Sequence, residues 1–303
     1  MTPDYGKIGF FGLGAMGRPM VENLAKDGYP LIVYDVNKNA CQGMEEYDNV
    51  EIAESPEQIA KKCKVILLSV PNSKIVTNVL LNPQTGLIRF LREGTTIIDM
   101  TSSNPLDTKK TGEALAAAKI NFLDAPVSGA PLGAINKTLA VMVGGEKELY
   151  DQYLPLFKSM GSSKIHYVGK LANGHAIKAL NNLLSSITFV ATGEVLILGK
   201  KLGLSPAVML DVFNSSTSRS YTTEIKFPKY ILSRTFDAKA TVETFYKDIE
   251  NALDCAKDEL VSQYIGGINE QMWRNAMSKG LGKEDYTILI KLMEEVAGVE
   301  IID

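Results

Sequence analysis

A doubly wound α/β domain followed by an all-helical one is the fold that the sequence predicts, on three observations. The first half alternates short, almost wholly apolar runs with helix-length segments, the pattern of a mostly parallel sheet covered on both faces. A glycine-rich loop, Gly12-Leu13-Gly14-Ala15-Met16-Gly17, stands directly between the first apolar run and the first helical segment. After about Val168 no convincing strand remains, and long helical patterns take over.

Taken in order, strands are expected at 7–11, 31–35, 65–70, 96–99, 122–124 and 139–143, each rich in β-branched and aliphatic residues. Helical segments such as 19–26 and 107–119 lie between them and supply the crossovers that parallel strands need. The second half reads as one long helix over 174–201, then helices over 206–213, 241–260, 262–278 and 284–297. At roughly 150 residues per domain, 303 residues suit two domains. They are placed at 1–165 and 166–303, with the long helix joining them.

Composition narrows the function classes. Apolar residues make up 45% and charged residues 22%, which suits a globular protein with a sizeable core. Thirty-two basic against 35 acidic residues give a net charge of −3, and the basic pairs Lys61-Lys62, Lys109-Lys110 and Lys200-Lys201 are scattered. Neither a nucleic-acid nor an anionic-membrane partner is therefore expected. Cys41, Cys63 and Cys255 are too far apart for a metal-ligand pattern, and His166 and His175 are the only histidines, so no metal site is expected from cysteine or histidine, while carboxylate sites stay open. No basic-then-apolar leader opens the sequence, and the most apolar stretch, from Leu183 to Leu198, is broken by Ser185, Ser186, Thr188, Gly193 and Glu194. A cytoplasmic protein without a membrane span is the expectation.

The glycine loop has a specific physical requirement. Its first glycine makes a tight turn, its second lets backbone approach a pyrophosphate, and its third lets the helix pack on the strand. The helix N-terminus then offers unpaired N–H groups and a positive dipole end to the phosphates. Asp35 ends the second strand about 20 residues on, where a carboxylate accepts hydrogen bonds from an adenosine ribose. The same charge repels a 2′-phosphate, which favours NAD, while nearby Lys38 leaves NADP open.

A nicotinamide cofactor needs a partner that moves a proton while the hydride moves. Lys178 and Asn182 are four apart on the long helix and hence on one face, with Asn181 beside them and His175 three residues earlier. The pair Asn181-Asn182 interrupts an otherwise apolar helix, and buried amides need partners.

Four separated motifs, in order, carry a resemblance over almost the whole chain. They are Gly9-Phe10-Phe11-Gly12-Leu13-Gly14-Ala15-Met16-Gly17, Asp124-Ala125-Pro126-Val127-Ser128-Gly129, Gly174-His175-Ala176-Ile177-Lys178 with Asn181-Asn182, and Lys247-Asp248. In these the chain resembles the β-hydroxyacid dehydrogenases, the family of 3-hydroxyisobutyrate dehydrogenase, tartronate semialdehyde reductase and 2-(hydroxymethyl)glutarate dehydrogenase. The resemblance implies hydride transfer between NAD, or NADP, and a small 3-hydroxy acid or its semialdehyde. It also implies a homodimer or homotetramer, with the first domain binding the dinucleotide and the second serving substrate and oligomer.

By the same resemblance Lys178 is the catalytic lysine, and Asn182, with Asn181, holds the substrate. Ser128, Gly129 and Ala130 form the turn for the substrate carboxylate. Thr101 and the segment Val70-Pro71-Asn72 line the cofactor, and Lys247 approaches its nicotinamide end. Lys247-Asp248 also reads as a plain surface ion pair, and His175 as a helix-start or surface residue. Four positions depart from the family pattern: Ala130 and Lys137 stand where glycines are usual, Ser218 replaces a glycine, and Ala240 replaces a phenylalanine. The last two leave the specific acid open.

Lys178 either takes the hydroxyl proton, which requires an amine pKa lowered from about 10.4, or stays charged and stabilises an alkoxide. The rival readings are an NADPH-dependent reductase of a related aldehyde or imine, and a non-catalytic dehydrogenase-like scaffold. Imine reductases of this fold generally lack the lysine, and a scaffold would be expected to have lost it. A 6-phosphogluconate dehydrogenase is longer and carries a basic cluster not found here.

Overall fold

The apolar runs of the first half pair into one nine-stranded sheet in a computed structural model that describes residues 3–161 and 163–302. Its strands are β1 (Ile8–Phe11), β2 (Leu31–Tyr34), β3 (Val50–Ile52), β4 (Val65–Leu68), β5 (Thr96–Asp99), β6 (Asn121–Asp124), β7 (Val127–Ser128), β8 (Ala140–Gly144) and β9 (Ile165–Gly169). The order is β3-β2-β1-β4-β5-β6-β8-β7, with β9 paired to β8. Pairing is parallel from β3 through to β6, antiparallel where β8 meets β6 and β7, and parallel again at β9. The order reverses between β2-β1 and β1-β4, and open α/β sheets bind ligands in the crevice beyond the carboxyl ends at such a point.

Both faces are covered because successive side chains point to opposite sides. Ile8, Phe10, Val65 and Leu67 pack with Met20, Leu24, Tyr153 and Phe157 of α1 (Gly17–Lys26) and α6 (Lys147–Gly161). Phe11, Ile66 and Leu68 pack with Ile59, Val76, Leu80 and Leu115 of α2 (Pro56–Lys62), α3 (Ser73–Leu81) and α4 (Pro105–Ala117). A short α5 (Ala130–Ile135) follows β7. Sequence reading lacked β3, β7 and β9. β3 is three residues long with Glu51 at its centre and none of it fully buried, β7 is two residues, and β9 carries exposed His166 and Tyr167. None of the three shows the apolar run that a central strand needs.

The chain divides into two compact units at Lys178 and Ala179, within α7 (Asn173–Lys201). This is further along than the 165/166 break expected from sequence, because β9 is hydrogen-bonded into the sheet and the start of α7 is tied to Asp124 of β6.

The second unit is helical, as its periodicity requires. It contains the rest of α7, then α8 (Pro206–Ser215), α9 (Val242–Asp258), α10 (Tyr264–Ser278) and α11 (Leu289–Ala297). Ser205 and Thr241 cap α8 and α9 by accepting from the N–H groups of Val208 and Thr244. Residues Thr222–Leu232 form a π-helical segment that the sequence did not announce, since Pro228 inside it reads as a helix breaker. Its core is an aromatic cluster of Phe189, Phe227, Phe245, Trp273 and Tyr286, with Phe245 stacked on Tyr286 at 4.5 Å between centroids. By length and composition α7 could cross a bilayer, contrary to the expectation of no such segment, yet more than half of its most apolar window is buried inside the protein.

Candidate active site

The glycine loop follows β1 at the reversal of strand order. Its three glycines stand in different surroundings. A Cβ on Gly12, where φ is +93°, would lie 2.1 Å from the Ser69 carbonyl oxygen, and one on Gly17 would lie 1.9 Å from that of Gly12. Those two glycines are required by the protein itself. A Cβ on exposed Gly14 meets no atom within 4 Å. Open space beside backbone at a helix start fits a pyrophosphate. Leu13 is buried, Ala15 is exposed and Met16 leads into α1. Asp35 accepts from the N–H of Leu13 at 2.7 Å and from that of Asn37 at 2.8 Å. The carboxylate therefore ties the loop to the end of β2. Lys38 is drawn over the Tyr34 ring, 5.3 Å from its centroid.

The loops after β4 and β5 are linked on the same sheet edge. Thr101 is buried; its hydroxyl oxygen accepts from the N–H of Val70 at 3.2 Å, and its own N–H donates to Asp99 at 2.9 Å. Exposed Pro71 follows, and Asn72 caps α3 by accepting from the N–H of Ile75 at 3.0 Å. Ser128 is half-buried, while Gly129 and Ala130 are exposed with φ of +141° and +57°. Ala130 thus adopts the left-handed conformation that a glycine takes without strain. Lys137, also left-handed at +55°, pairs with Asp27 at 2.5 Å.

The start of α7 is held by a carboxylate that the sequence reading did not single out. Asp124 is fully buried and accepts from the N–H groups of Ala172 at 2.8 Å and His175 at 2.7 Å. Burial pushes its carboxyl above the ordinary range and nearby Asp99 adds to this, against the opposing pull of His175 and the two backbone N–H groups. The close approach requires glycine at position 174, where a Cβ would lie 2.3 Å from the Met142 carbonyl oxygen. His175 is fully buried, which rules out the surface role and leaves the helix start. Its Nδ1 is 2.7 Å from the Thr108 hydroxyl, and its Nε2 is 3.7 Å from Asp99. Lys178 follows one turn later and is half-buried.

In the second unit, Asn182 is buried and donates to Asp248 at 2.6 Å, while exposed Asn181 donates to the Asn182 side-chain oxygen at 3.2 Å. Lys247 lies 3.2 Å from the other Asp248 oxygen. Asp248 is buried, so the pair is not a plain surface one. It fixes the Asn182 amide and the Lys247 ammonium together. Both acids stand in the motifs that carry the family resemblance, but in the sequence Asp124 shows only as an acid ending an apolar strand and Asp248 only as an acid adjoining a candidate lysine.

The chain matches family models over most of its length. Residues 7–169 match the NAD binding domain of 6-phosphogluconate dehydrogenase, and residues 172–293 match the NAD-binding region of NADP-dependent 3-hydroxyisobutyrate dehydrogenase. It is 34% identical over 295 residues to 2-(hydroxymethyl)glutarate dehydrogenase of Eubacterium barkeri, covering 97% of each chain. It is 30% identical to human mitochondrial 3-hydroxyisobutyrate dehydrogenase over 95% of this chain and 87% of that one. Among solved structures, Mycobacterium tuberculosis 3-hydroxyisobutyrate dehydrogenase with L-serine shares the fold at a TM-score of 0.87 and 24% identity, covering 95% of this chain and 99% of that one.

Proposed function

The chain belongs to the β-hydroxyacid dehydrogenase family and is an NAD(P)-dependent oxidoreductase, and from that premise we propose that it acts on a small 3-hydroxy acid of the 3-hydroxyisobutyrate type with Lys178 moving the proton. When bound, the nicotinamide supplies the hydride acceptor or donor. The observation that carries the reading is the open space at Gly14 beside the Asp35 carboxylate, between two glycines that the fold itself requires. NAD fits Asp35, and Lys38, drawn over Tyr34, keeps NADP within reach.

In this proposal Gly12 to Gly17 and Asp35 hold the dinucleotide, with Val70, Pro71, Asn72 and Thr101 lining it and Lys247 meeting its nicotinamide end. Ser128, Gly129 and Ala130 take the substrate carboxylate. Lys178 accepts the hydroxyl proton in oxidation and returns it in reduction. Asn182, held by Asp248, presents its amide to the substrate, with Asn181 supporting it. A homodimer or homotetramer is supported by the exposed apolar residues Leu180, Leu184 and Leu198 of α7, Leu202 just beyond it, and Val208 and Val212 of α8. Three free thiols suit a reducing compartment such as the cytoplasm.

The test is an absorbance assay of NAD and NADP reduction over a panel of 3-hydroxy acids, run with Lys178→Ala. Turnover should fall by roughly 10²- to 10⁴-fold in the variant, with NAD affinity little changed. Near-normal turnover would remove the lysine from the mechanism.

A further inference from the structure

Asp99 and Asp124 end neighbouring parallel strands and are direct register partners. Both are buried to within 1% of full burial, so two carboxyl groups stand side by side away from water. Such a pair is costly unless something polar satisfies it. His175 is the side chain placed against both: its Nδ1 is 3.8 Å from Asp124 Oδ2, and its Nε2 is 3.7 Å from Asp99 Oδ2. That Nε2 is completely buried and has no hydrogen-bond partner, although it faces a carboxylate. The Thr108 hydroxyl is within hydrogen-bond distance of both the Asn104 carbonyl, at 3.1 Å, and Nδ1; with its proton turned to Nδ1, the ring carries its own N–H on Nε2, toward Asp99.

The neighbours of this ring lead to the proposed cofactor and substrate contacts. Asp99 Oδ1 accepts from the N–H of Thr101, and Thr101 in turn accepts from the N–H of Val70. Asp99 Oδ2 accepts from the Ser103 hydroxyl at 2.8 Å. On the other side Asp124 opens the segment to Ser128 and holds the backbone at Ala172 and His175. One helical turn beyond His175 is Lys178. A single imidazole therefore stands between the loops after β4 and β5 and the helix that carries the lysine.

We propose that His175 is a positioning residue, which sets the place of Lys178 relative to the Val70 and Thr101 loops by joining Asp124, held on its backbone N–H, to Asp99, faced by its ring. The proposal rests on Lys178 being the proton-transferring group. It gives the histidine no proton in the reaction: the ring is sealed, its hydrogen bond is to Thr108, and its Nε2 faces Asp99. The lysine needs the bracket because its amine ends a flexible stem, and a misplacement of about 1 Å can cost on the order of a hundredfold in rate.

The test compares His175→Phe, His175→Gln and His175→Asn in the full chain, each with kcat, KM and amide hydrogen exchange on the cofactor-free protein. Phe fills the volume without a polar atom, Gln keeps an amide that reaches Asp99, and Asn is too short to do so. With the 3-hydroxy acid turned over best, His175→Phe should lose at least about tenfold in kcat with KM nearly unchanged, as expected when alignment and not binding is lost. Exchange at residues 173–178 should quicken. His175→Gln should recover most of kcat and His175→Asn should not. If the Phe variant fails to fold, the Gln and Asn pair decides, and equal kcat for those two overturns the bridge to Asp99. Full kcat in a folded Phe variant overturns the proposal outright. Lys178→Ala in the same series separates the two ideas: turnover retained there removes the lysine's role, whereas turnover lost there but kept in His175→Phe removes only the positioning.

Discussion

Replacing Gly14 by alanine separates what the fold needs from what the dinucleotide needs. The added methyl meets no protein atom within 4 Å, and Gly14 does not have the positive φ of Gly12. Folding should be unharmed, and the stiffer unfolded chain adds up to about 0.4–1 kcal/mol of stability. The methyl does occupy the space where backbone meets a pyrophosphate. Crowding a close-packed contact by one carbon costs about 1–3 kcal/mol, which at 1.4 kcal/mol per tenfold is a Kd weaker by roughly 5- to 150-fold. Gly17→Ala is the contrast: its Cβ would lie 1.9 Å from a backbone oxygen, so the loop or helix must move and stability must fall. Calorimetric titration with NADH and thermal unfolding of both variants make the measurement. NADH binding to Gly14→Ala at wild-type affinity would refute the assignment of that space to the cofactor. A lowered unfolding temperature for Gly14→Ala would refute the openness itself.

Other expectations concern different parts of the chain. Gly174→Ala should destabilise by about 1–3 kcal/mol through overpacking against the Met142 and Asp124 backbone, while Gly267→Ala, in open space within α10, should stabilise by up to about 1 kcal/mol; urea unfolding of the two variants reads the opposite signs, and equal signs would discredit the packing at Asp124. Glu51 takes hydrogen bonds from Lys7 and Lys62, which hold its carboxyl down to about 2 from 4.5. A depressed acid stabilises the fold above its unfolded value and loses that contribution as pH falls from 4.5 toward 2. Glu51→Gln should therefore cost about 1 kcal/mol or less at neutral pH, with the deficit shrinking by pH 3; an undiminished deficit there would contradict the pairing. Burial pushes the Cys63 thiol up to about 12, and Cys41 is also buried, so a disulfide reagent near pH 8 should modify half-buried Cys255 first, and simultaneous reaction of all three would argue against the packed sheet around Cys63.

Much was legible in the sequence because the physics that wrote it is local. The strands from β1 to β6 other than β3 show as apolar runs because each is buried on both faces, and the glycine loop shows because a tight turn and a close helix leave no room for a Cβ at Gly12 and Gly17. The long helices of the second unit follow from the periodicity of their apolar residues. The unit boundary and the partners of the buried polar residues did not show, because each depends on contacts remote along the chain. Asp99 becomes the neighbour of Asp124 only through the register of β5 and β6, and Asn182 meets Asp248 across 66 residues. His175 could be read as a surface residue on α7 because a helical pattern says which residues share a face but not what lies against it. Only the tertiary structure placed two carboxyl groups beside that ring, since the cost of burying a polar group and the partner that offsets it are settled in space and not along the chain.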